Sequence, residues 1–223
     1  MKMKSPILKV LAAATPLSAA AIPFALAEPP PEPQIVNGSF EEPVITSELL
    51  FLTPSVPQHA EPLKDAGWAF GNSTGICRAL AGYAEGLSAS DGGQVAFLQG
   101  DQKVSPNPNE PWNIFGIDIT GLEPGQEYEV SWDQAGRATD LGTSALQVTV
   151  GPPAGSGQPA IQLVGGEPVA SKGAWEEVSR RFTATGEVMT LNFNHFIVEP
   201  GNPDAGSEST LIDNVKIRKV ANP

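Results

Sequence analysis

The sequence predicts an all-β protein, an antiparallel β-sandwich of the jelly-roll type. Apolar and polar residues alternate over many short segments, 23 Gly and 22 Pro separate these segments, and no amphipathic helical run exceeds about two turns. Alternation in short segments bounded by Gly and Pro turns is typical of antiparallel sheets with one buried face. Two such sheets packed face to face bury both apolar surfaces, which favours a sandwich.

Eight segments carry the strand signal. In residues 127–135, Tyr128, Val130 and Trp132 face one way, and acids and Ser131 face the other. Residues 46–90 are less regular and predict long loops with short strands. The eight predicted strands are residues 35–40, 94–100, 113–120, 127–135, 145–151, 175–184, 187–196 and 210–217.

Residues 1–27 have the pattern of a secretory signal peptide. Three lysines precede or open a mostly apolar run that ends in Ala25-Leu26-Ala27, a small-residue cleavage pattern. The alternative, a transmembrane anchor, is disfavoured by Pro16 and Pro23. Residues 28–34, EPPPEPQ, predict a stiff, extended spacer. A single domain is then expected over residues 35–219, in a secreted or periplasmic protein with no membrane insertion after cleavage.

The charge and the cysteine content exclude several classes of partner and site. The net charge is −12, and removal of three lysines with residues 1–27 leaves −15. Such an acidic protein repels phosphate backbones and anionic membranes, so no nucleic-acid partner is expected. Cys77 is the only cysteine, which excludes an intrachain disulfide and a cysteine zinc site. We expect Cys77 to be a small buried residue.

The segment STLIDNVKIRKV, residues 209–220, contains an exception to its alternation. Asp213 falls on the predicted face of Leu211 and Val215, and an unpaired buried carboxylate is very costly. If the first and last strands lie side by side, Glu41 meets Asp213. Two close carboxylates repel unless a cation or a proton lies between them, and extracellular calcium suits such oxygen ligands.

Simpler roles for Asp213 remain open on the sequence. The carboxylate could cap a turn, or it could pair with Lys216 or Arg218.

Several short motifs, taken in order, resemble a known family. They are NGSFE, DGGQVAFLQG, ITGLEPGQEYEVSWDQAGR, GAWEEVSRRFTATG and STLIDNVKI. This order resembles galactose-binding-like jelly rolls and is similar to carbohydrate-binding modules of the family 4/9 type, over about residues 35–219. The resemblance implies that Glu41 and Asp213 bind a structural Ca²⁺ and that the partner is a polysaccharide or glycan.

Candidate ligand-binding residues follow from the chemistry of sugars. Aromatic faces stack on the C–H surface of a sugar ring, and planar polar side chains bind its hydroxyls. Loop aromatics and outward polar residues of the predicted strands are therefore candidates, with burial in the core as the competing interpretation. The candidates are Trp68, Tyr83, Trp112, Asp133, Arg137 and Asn192, with Gln147, Thr149 and Asn194 on the same kind of polar face.

Enzymatic signals are weak. Residues 71–75 match G-x-S-x-G, but that motif requires a strand–turn–helix on an α/β sheet. His195 has the parity of Leu191 and Phe193, which favours a strand-end or core histidine over a base or a ligand. The sequence therefore predicts a secreted, non-catalytic carbohydrate-binding module. The alternatives are a structural or adhesive envelope protein without a sugar site and a jelly-roll glycan hydrolase or lyase.

Overall fold

The computed structural model has two antiparallel sheets that face each other. It describes residues 32–46, 48–80, 83–100, 114–138, 143–153, 159–169, 172–199 and 208–221, which all belong to one unit, Pro31–Pro223. Within these ranges the strands are β1 (Phe51–Leu52), β2 (Ala69–Phe70), β3 (Thr74–Arg78), β4 (Gln94–Gly100), β5 (Ile114–Thr120), β6 (Glu127–Gly136), β7 (Thr143–Gly151), β8 (Ile161–Pro168), β9 (Glu176–Thr183), β10 (Val188–Glu199) and β11 (Glu208–Lys219).

The two sheets differ in size and order. The six-stranded sheet has the order β1-β3-β4-β11-β6-β9, and the five-stranded sheet has the order β2-β5-β10-β7-β8. A short helix, α1 (Pro57–Leu63), and a 3₁₀ turn (Lys64–Ala66) join β1 to β2. The predicted all-β antiparallel sandwich is confirmed. No helix in the described ranges has the length and apolar character needed to cross a membrane.

The core lies between the sheets and follows the predicted alternation. Tyr128, Val130 and Trp132 of β6 are fully buried there. The Phe193 ring of β10 stacks on Phe115 of β5 with centroids 5.1 Å apart, and it meets Trp132 edge to face at 5.5 Å. These ring contacts join the five-stranded sheet to the six-stranded sheet. Large aromatic rings bury much apolar area per residue, so they contribute strongly to this core.

A second apolar cluster covers the outer face of the six-stranded sheet. It contains Cys77, Val95, Phe97 and Leu211, on which Tyr83 and other residues of the β3–β4 connection pack. Cys77 is free and fully buried, as expected, and burial raises the pKa of its thiol far above the usual range.

The opening segment, residues 35–40, is not the predicted strand. Asn37 and Phe40 have left-handed backbone, with φ of 52° and 56°, a conformation that interrupts an extended chain. The Asn37 amide instead donates to the carbonyl oxygens of Glu42 and Ala66 and so holds a turn. The segment still lies beside β11, since Val215 N–H donates to Gly38 O at 2.8 Å.

Candidate functional site

A bulge in β11 determines where Asp213 points. The pairing of β11 with β6 shifts register between Asp213 and Lys216, and Asn214 has φ of 53°. Leu211 therefore packs in the outer cluster, whereas Val215 packs in the core between the sheets. The prediction that Leu211, Asp213 and Val215 share one face was wrong, because a bulge inserts an unpaired residue and changes the parity of the strand.

The partner of Asp213 is a turn of backbone. Its Oδ2 accepts hydrogen bonds from Ser90 N at 2.8 Å, Ser90 Oγ at 3.0 Å and Asp91 N at 2.9 Å. Its Oδ1 accepts from Asn214 N at 2.7 Å. Burial raises the pKa of Asp213 to about 6, and these hydrogen bonds limit the rise. Arg218, one candidate partner, binds Glu129 instead.

Glu41 holds the same turn. Its Oε1 accepts from Gly93 N and Gln94 N, each at 2.8 Å. The carboxylates of Glu41 and Asp213 thus both bind residues 90–94, one from the opening segment and one from β11. Among the described residues, no three His, Cys, Asp or Glu side chains converge as metal ligands. A calcium ion held by these two carboxylates would therefore need backbone carbonyls or water for the rest of its shell.

Trp68 and Trp112 do not form an exposed platform in the described structure. Trp68 is only 4% exposed. Its indole packs against Phe40 and Phe115, and its Nε1 donates to the carbonyl oxygen of Val36. The candidate role of Trp68 in stacking on a sugar is thus corrected, because an enclosed ring presents no face to a ligand. Trp112 lies outside the described residues.

Tyr83 and Arg137 come together on the outer face of the six-stranded sheet. The guanidinium carbon of Arg137 lies 4.9 Å from the Tyr83 ring centroid, and Arg137 forms a salt bridge with Glu85. The Tyr83 hydroxyl lies 3.1 Å from Ser209 Oγ. Asp133 is 9% exposed, and its carboxylate accepts from Asn214 Nδ2 at 3.0 Å. That contact joins Asp133 to the β11 bulge and occupies one of its carboxylate oxygens.

Asn192 lies in a groove on the outer face of the five-stranded sheet. This β2–β5–β10 groove has a volume of about 730 Å³, and its lining includes Phe70, Gly116, Asp118, Thr190 and Asn192. A Cβ at Gly116 would lie 2.3 Å from Asn192 Oδ1, so the Asn192 side chain occupies the space that the glycine leaves. Thr190 Oγ1 donates to Asp118 Oδ1 at 2.6 Å.

Sequence reasoning missed Phe70, Asp118 and Thr190. Asp118 and Thr190 carry a usable signal, since both have outward parity on predicted strands and they are direct partners in the β5–β10 pairing. Gln147 and Asn194 lie farther along the same outer face, where they pair across β7 and β10.

A second groove lies on the outer face of the six-stranded sheet. This β1–β3–β4 groove has a volume of about 660 Å³, and its lining includes Phe51, Asn72, Ser73, Tyr83 and Gln99. The structure thus separates two candidate residues, with Asn192 in the first groove and Tyr83 in the second.

Comparison with protein families assigns the fold to a known group. The model of the family CBM_4_9, described as a carbohydrate binding domain, matches residues 33–204, which is most of the chain. The protein belongs to this carbohydrate-binding family. The resemblance noted from the sequence motifs is therefore confirmed.

Solved structures similar to this carbohydrate-binding module are distant in sequence. One is the CBM22-1 xylan-binding domain of Xyn10C from Paenibacillus barcinonensis, at 20% identity, covering 71% of this chain and 88% of that one with a TM-score of 0.49. Another, titled "CBM4 structure and function", has 17% identity, coverage of 82% and 98% and a TM-score of 0.41. TmCBM61 in complex with β-1,4-galactotriose has 11% identity, coverage of 69% and 88% and a TM-score of 0.40. No curated protein matches the chain significantly.

Proposed function

We propose that the protein is a secreted, non-catalytic carbohydrate-binding module that holds a neutral glycan in the β2–β5–β10 groove. The observation that carries the proposal is the mixed lining of this groove, in a member of a carbohydrate-binding family. Secretion is proposed from the signal-like sequence of residues 1–27.

The lining of the groove matches the two surfaces of a sugar. Phe70 lines the groove at its β2 edge; its half-buried ring packs on Phe115 with centroids 5.5 Å apart, and the exposed remainder of the ring is available to the C–H side of a pyranose. Asn192 supplies an amide that both donates and accepts hydrogen bonds, and Asp118 supplies acceptors for hydroxyl groups. The net charge of −12, with Asp118 in the groove itself, disfavours anionic glycans. We therefore expect an uncharged saccharide.

The single acid among the described lining residues supports a binding role without hydrolysis. Glycoside hydrolases use a pair of carboxyl groups that flank the scissile bond. Asp118 is the only acid among the described residues that line the groove, and it accepts a hydrogen bond from Thr190. A single hydrogen-bonded carboxylate suits the recognition of hydroxyl groups.

A glycan array with purified protein tests the proposal, followed by titration of the best glycan into two variants. Asn192→Ala removes one amide from the groove, and we expect about three- to tenfold weaker binding, since a hydrogen bond contributes about 0.5–1.5 kcal/mol. Asn194→Ala is the matched control, because Asn194 has the same outward parity two residues along β10 but is not among the residues that line the groove.

Two results would contradict the proposal. A folded protein that binds no glycan would favour the structural or adhesive alternative. Equal loss of affinity in both variants would move the site along β10, away from the groove.

We also propose that Glu41 and Asp213 hold a structural Ca²⁺ together with backbone carbonyls near the 90–94 turn. Asp213 is fully buried, and no positively charged side chain forms a salt bridge with it among the described residues. Among the described residues, Glu41 Oε2 accepts no hydrogen bond and Asp213 Oδ1 accepts one, so these two oxygens keep lone pairs for a metal ion. Hard oxygen donors are the ligands that calcium prefers.

Thermal unfolding in calcium, magnesium and chelator tests the metal proposal. At a calcium concentration about 100 times the Kd, the free energy of unfolding rises by about 2.7 kcal/mol. We expect this increase in the wild type and its loss in the double variant E41Q/D213N. Identical unfolding in calcium and chelator would leave the two carboxylates as acceptors for the turn and nothing more.

A further inference from the structure

The β1–β3–β4 groove has the size and composition of a ligand site. Its volume of about 660 Å³ is close to the 730 Å³ of the first groove, and both fall within the usual range for small-molecule pockets. Phe51 and Tyr83 are half-buried in it, with ring centroids 5.7 Å apart, and Tyr83 packs on Phe97 at 4.6 Å.

The polar groups of this groove are placed for hydroxyl groups. Asn72 is exposed, and its side-chain amide has no hydrogen bond to the protein among the described residues. Thr53 Oγ1 and Ser55 Oγ lie 3.1 Å apart, and Ser73 completes a set of uncharged donors and acceptors. No Lys, Arg, His, Asp or Glu occurs among the described lining residues. Aromatic faces beside uncharged amides and hydroxyls suit a neutral saccharide and offer nothing to an ionic ligand.

The Tyr83 ring of the aromatic wall is held by contacts within the protein. Arg137 stacks on the Tyr83 ring, Glu85 pairs with Arg137, and the Tyr83 hydroxyl contacts Ser209. A wall that is already ordered loses little conformational entropy on binding.

We propose that the β1–β3–β4 groove is a second saccharide-binding site, which takes a neutral oligosaccharide. The choice of a saccharide as the ligand rests on the proposed function, but the β1–β3–β4 groove is distinct from the β2–β5–β10 groove. Gly71 lines the first groove, whereas Asn72 and Ser73 line the second, so the turn from β2 to β3 divides them. One chain would then bind two glycan segments, which raises avidity for a polysaccharide.

Backbone amide shifts in two-dimensional NMR test the second site. Xylotriose, cellotriose and β-1,4-galactotriose are titrated separately into the wild type and into the variants N72A, F51L and N192A. We expect two separate groups of shifts, one at Asp118 and Thr190 and one at Ser73 and Tyr83. N72A should weaken binding in the second group about three- to tenfold and leave the first unchanged, and N192A should do the reverse.

F51L keeps an apolar side chain on β1 but removes the aromatic ring, so it separates stacking from folding. We expect F51L to weaken binding only in the second group, with shift changes of the free protein confined to residues that surround Phe51, such as Tyr83 and Phe97.

The other outcomes overturn specific statements. Shifts in the first groove alone would overturn the second site and leave the proposed function intact. Shifts in the second groove alone would support the second site and overturn the assignment of the proposed function to the first. One saturating event weakened equally by N72A and N192A would mean a single continuous site, and no shifts with any trisaccharide would overturn both statements.

Discussion

Gly116 illustrates at the residue scale how a missing side chain shapes a binding surface. The Asn192 side chain lies in the space beside this glycine, and a Cβ there would lie 2.3 Å from Asn192 Oδ1 and 2.7 Å from Leu191 O. The carbonyl belongs to the β10 backbone and cannot turn aside as a side chain can. The position therefore sets both the pairing of β5 with β10 and the placement of the amide.

Gly116→Ala should lower both stability and glycan affinity. The added methyl group must push Asn192 aside and strain the β5–β10 pairing, at a cost of about 1–3 kcal/mol. Thermal unfolding and glycan titration measure the two effects. Gly186→Ala is the control, because its nearest contact would be Val188 O at 3.4 Å. If G116A kept full affinity, the position of Asn192 would not matter for binding.

At the scale of elements, the opening segment packs closely on β11, although the two are not paired strands. Val215 N donates to Gly38 O, and a Cβ at Gly38 would lie 2.0 Å from Val215 O. Glu41 then reaches the 90–94 turn that also binds Asp213. The close approach at Gly38 thus brings both carboxylates to the same turn.

Gly38→Ala should displace the opening segment from β11. The added Cβ would meet the backbone carbonyl of Val215, which cannot turn aside as a side chain can, so we expect a loss of about 2 kcal/mol or more in the free energy of unfolding. Limited proteolysis near residues 35–45 should also become faster. Gly93→Ala is the control, since its Cβ would meet only Glu41 Oε2, at 4.0 Å. Equal stability of G38A and wild type would contradict the close approach.

At the scale of the whole molecule, the buried His195 makes stability depend on pH. His195 is 2% exposed, and both of its ring nitrogens lack a hydrogen-bond partner in the described structure. Burial lowers its pKa from 6.5 to about 3. Below pH 6.5 His195 is therefore protonated in the unfolded chain, whereas in the folded protein it is protonated only near pH 3. The free energy of unfolding falls as the pH falls through this range.

His195→Leu should remove this part of the acid sensitivity. Relative to its difference from the wild type at pH 7, the leucine variant should gain about 1.4 kcal/mol in the free energy of unfolding for each pH unit below 6.5. Denaturant unfolding between pH 7 and pH 4 measures the difference. The raised pKa of Asp213 acts in the opposite direction between about pH 6 and 3.8, but it is present in both proteins and cancels in the comparison. Parallel curves would show that the imidazole titrates normally.

The strands that alternate cleanly could be predicted from the sequence. Predicted residues 94–100 match β4, and 127–135 match β6 to within one residue. The strand β8 was missed, because Gly165 and Gly166 interrupt its pattern. Residues 35–40 were wrongly predicted as a strand, because the left-handed backbone at Asn37 and Phe40 depends on contacts with Ala66 and other distant residues.

The candidate site was less predictable than the fold. Asn192 could be found, since its outward parity on a regular strand places it on a polar face. Trp68 could not be assigned, because an indole in the irregular region of residues 46–90 fits a platform and a core equally well. Its contacts with Phe40 and Phe115 exist only after the sheets pack.

The sequence by itself determined the all-β class, most strand positions and the resemblance to carbohydrate-binding modules, because these depend on local periodicity and on the order of motifs along the chain. Tertiary structure alone decided that Asp213 faces a backbone turn, that Asn192 and Tyr83 belong to different grooves, and that the glycine at 116 makes room for an amide. Each of these depends on which distant segments meet, since a bulge reverses strand parity and a groove is formed by residues far apart in the chain.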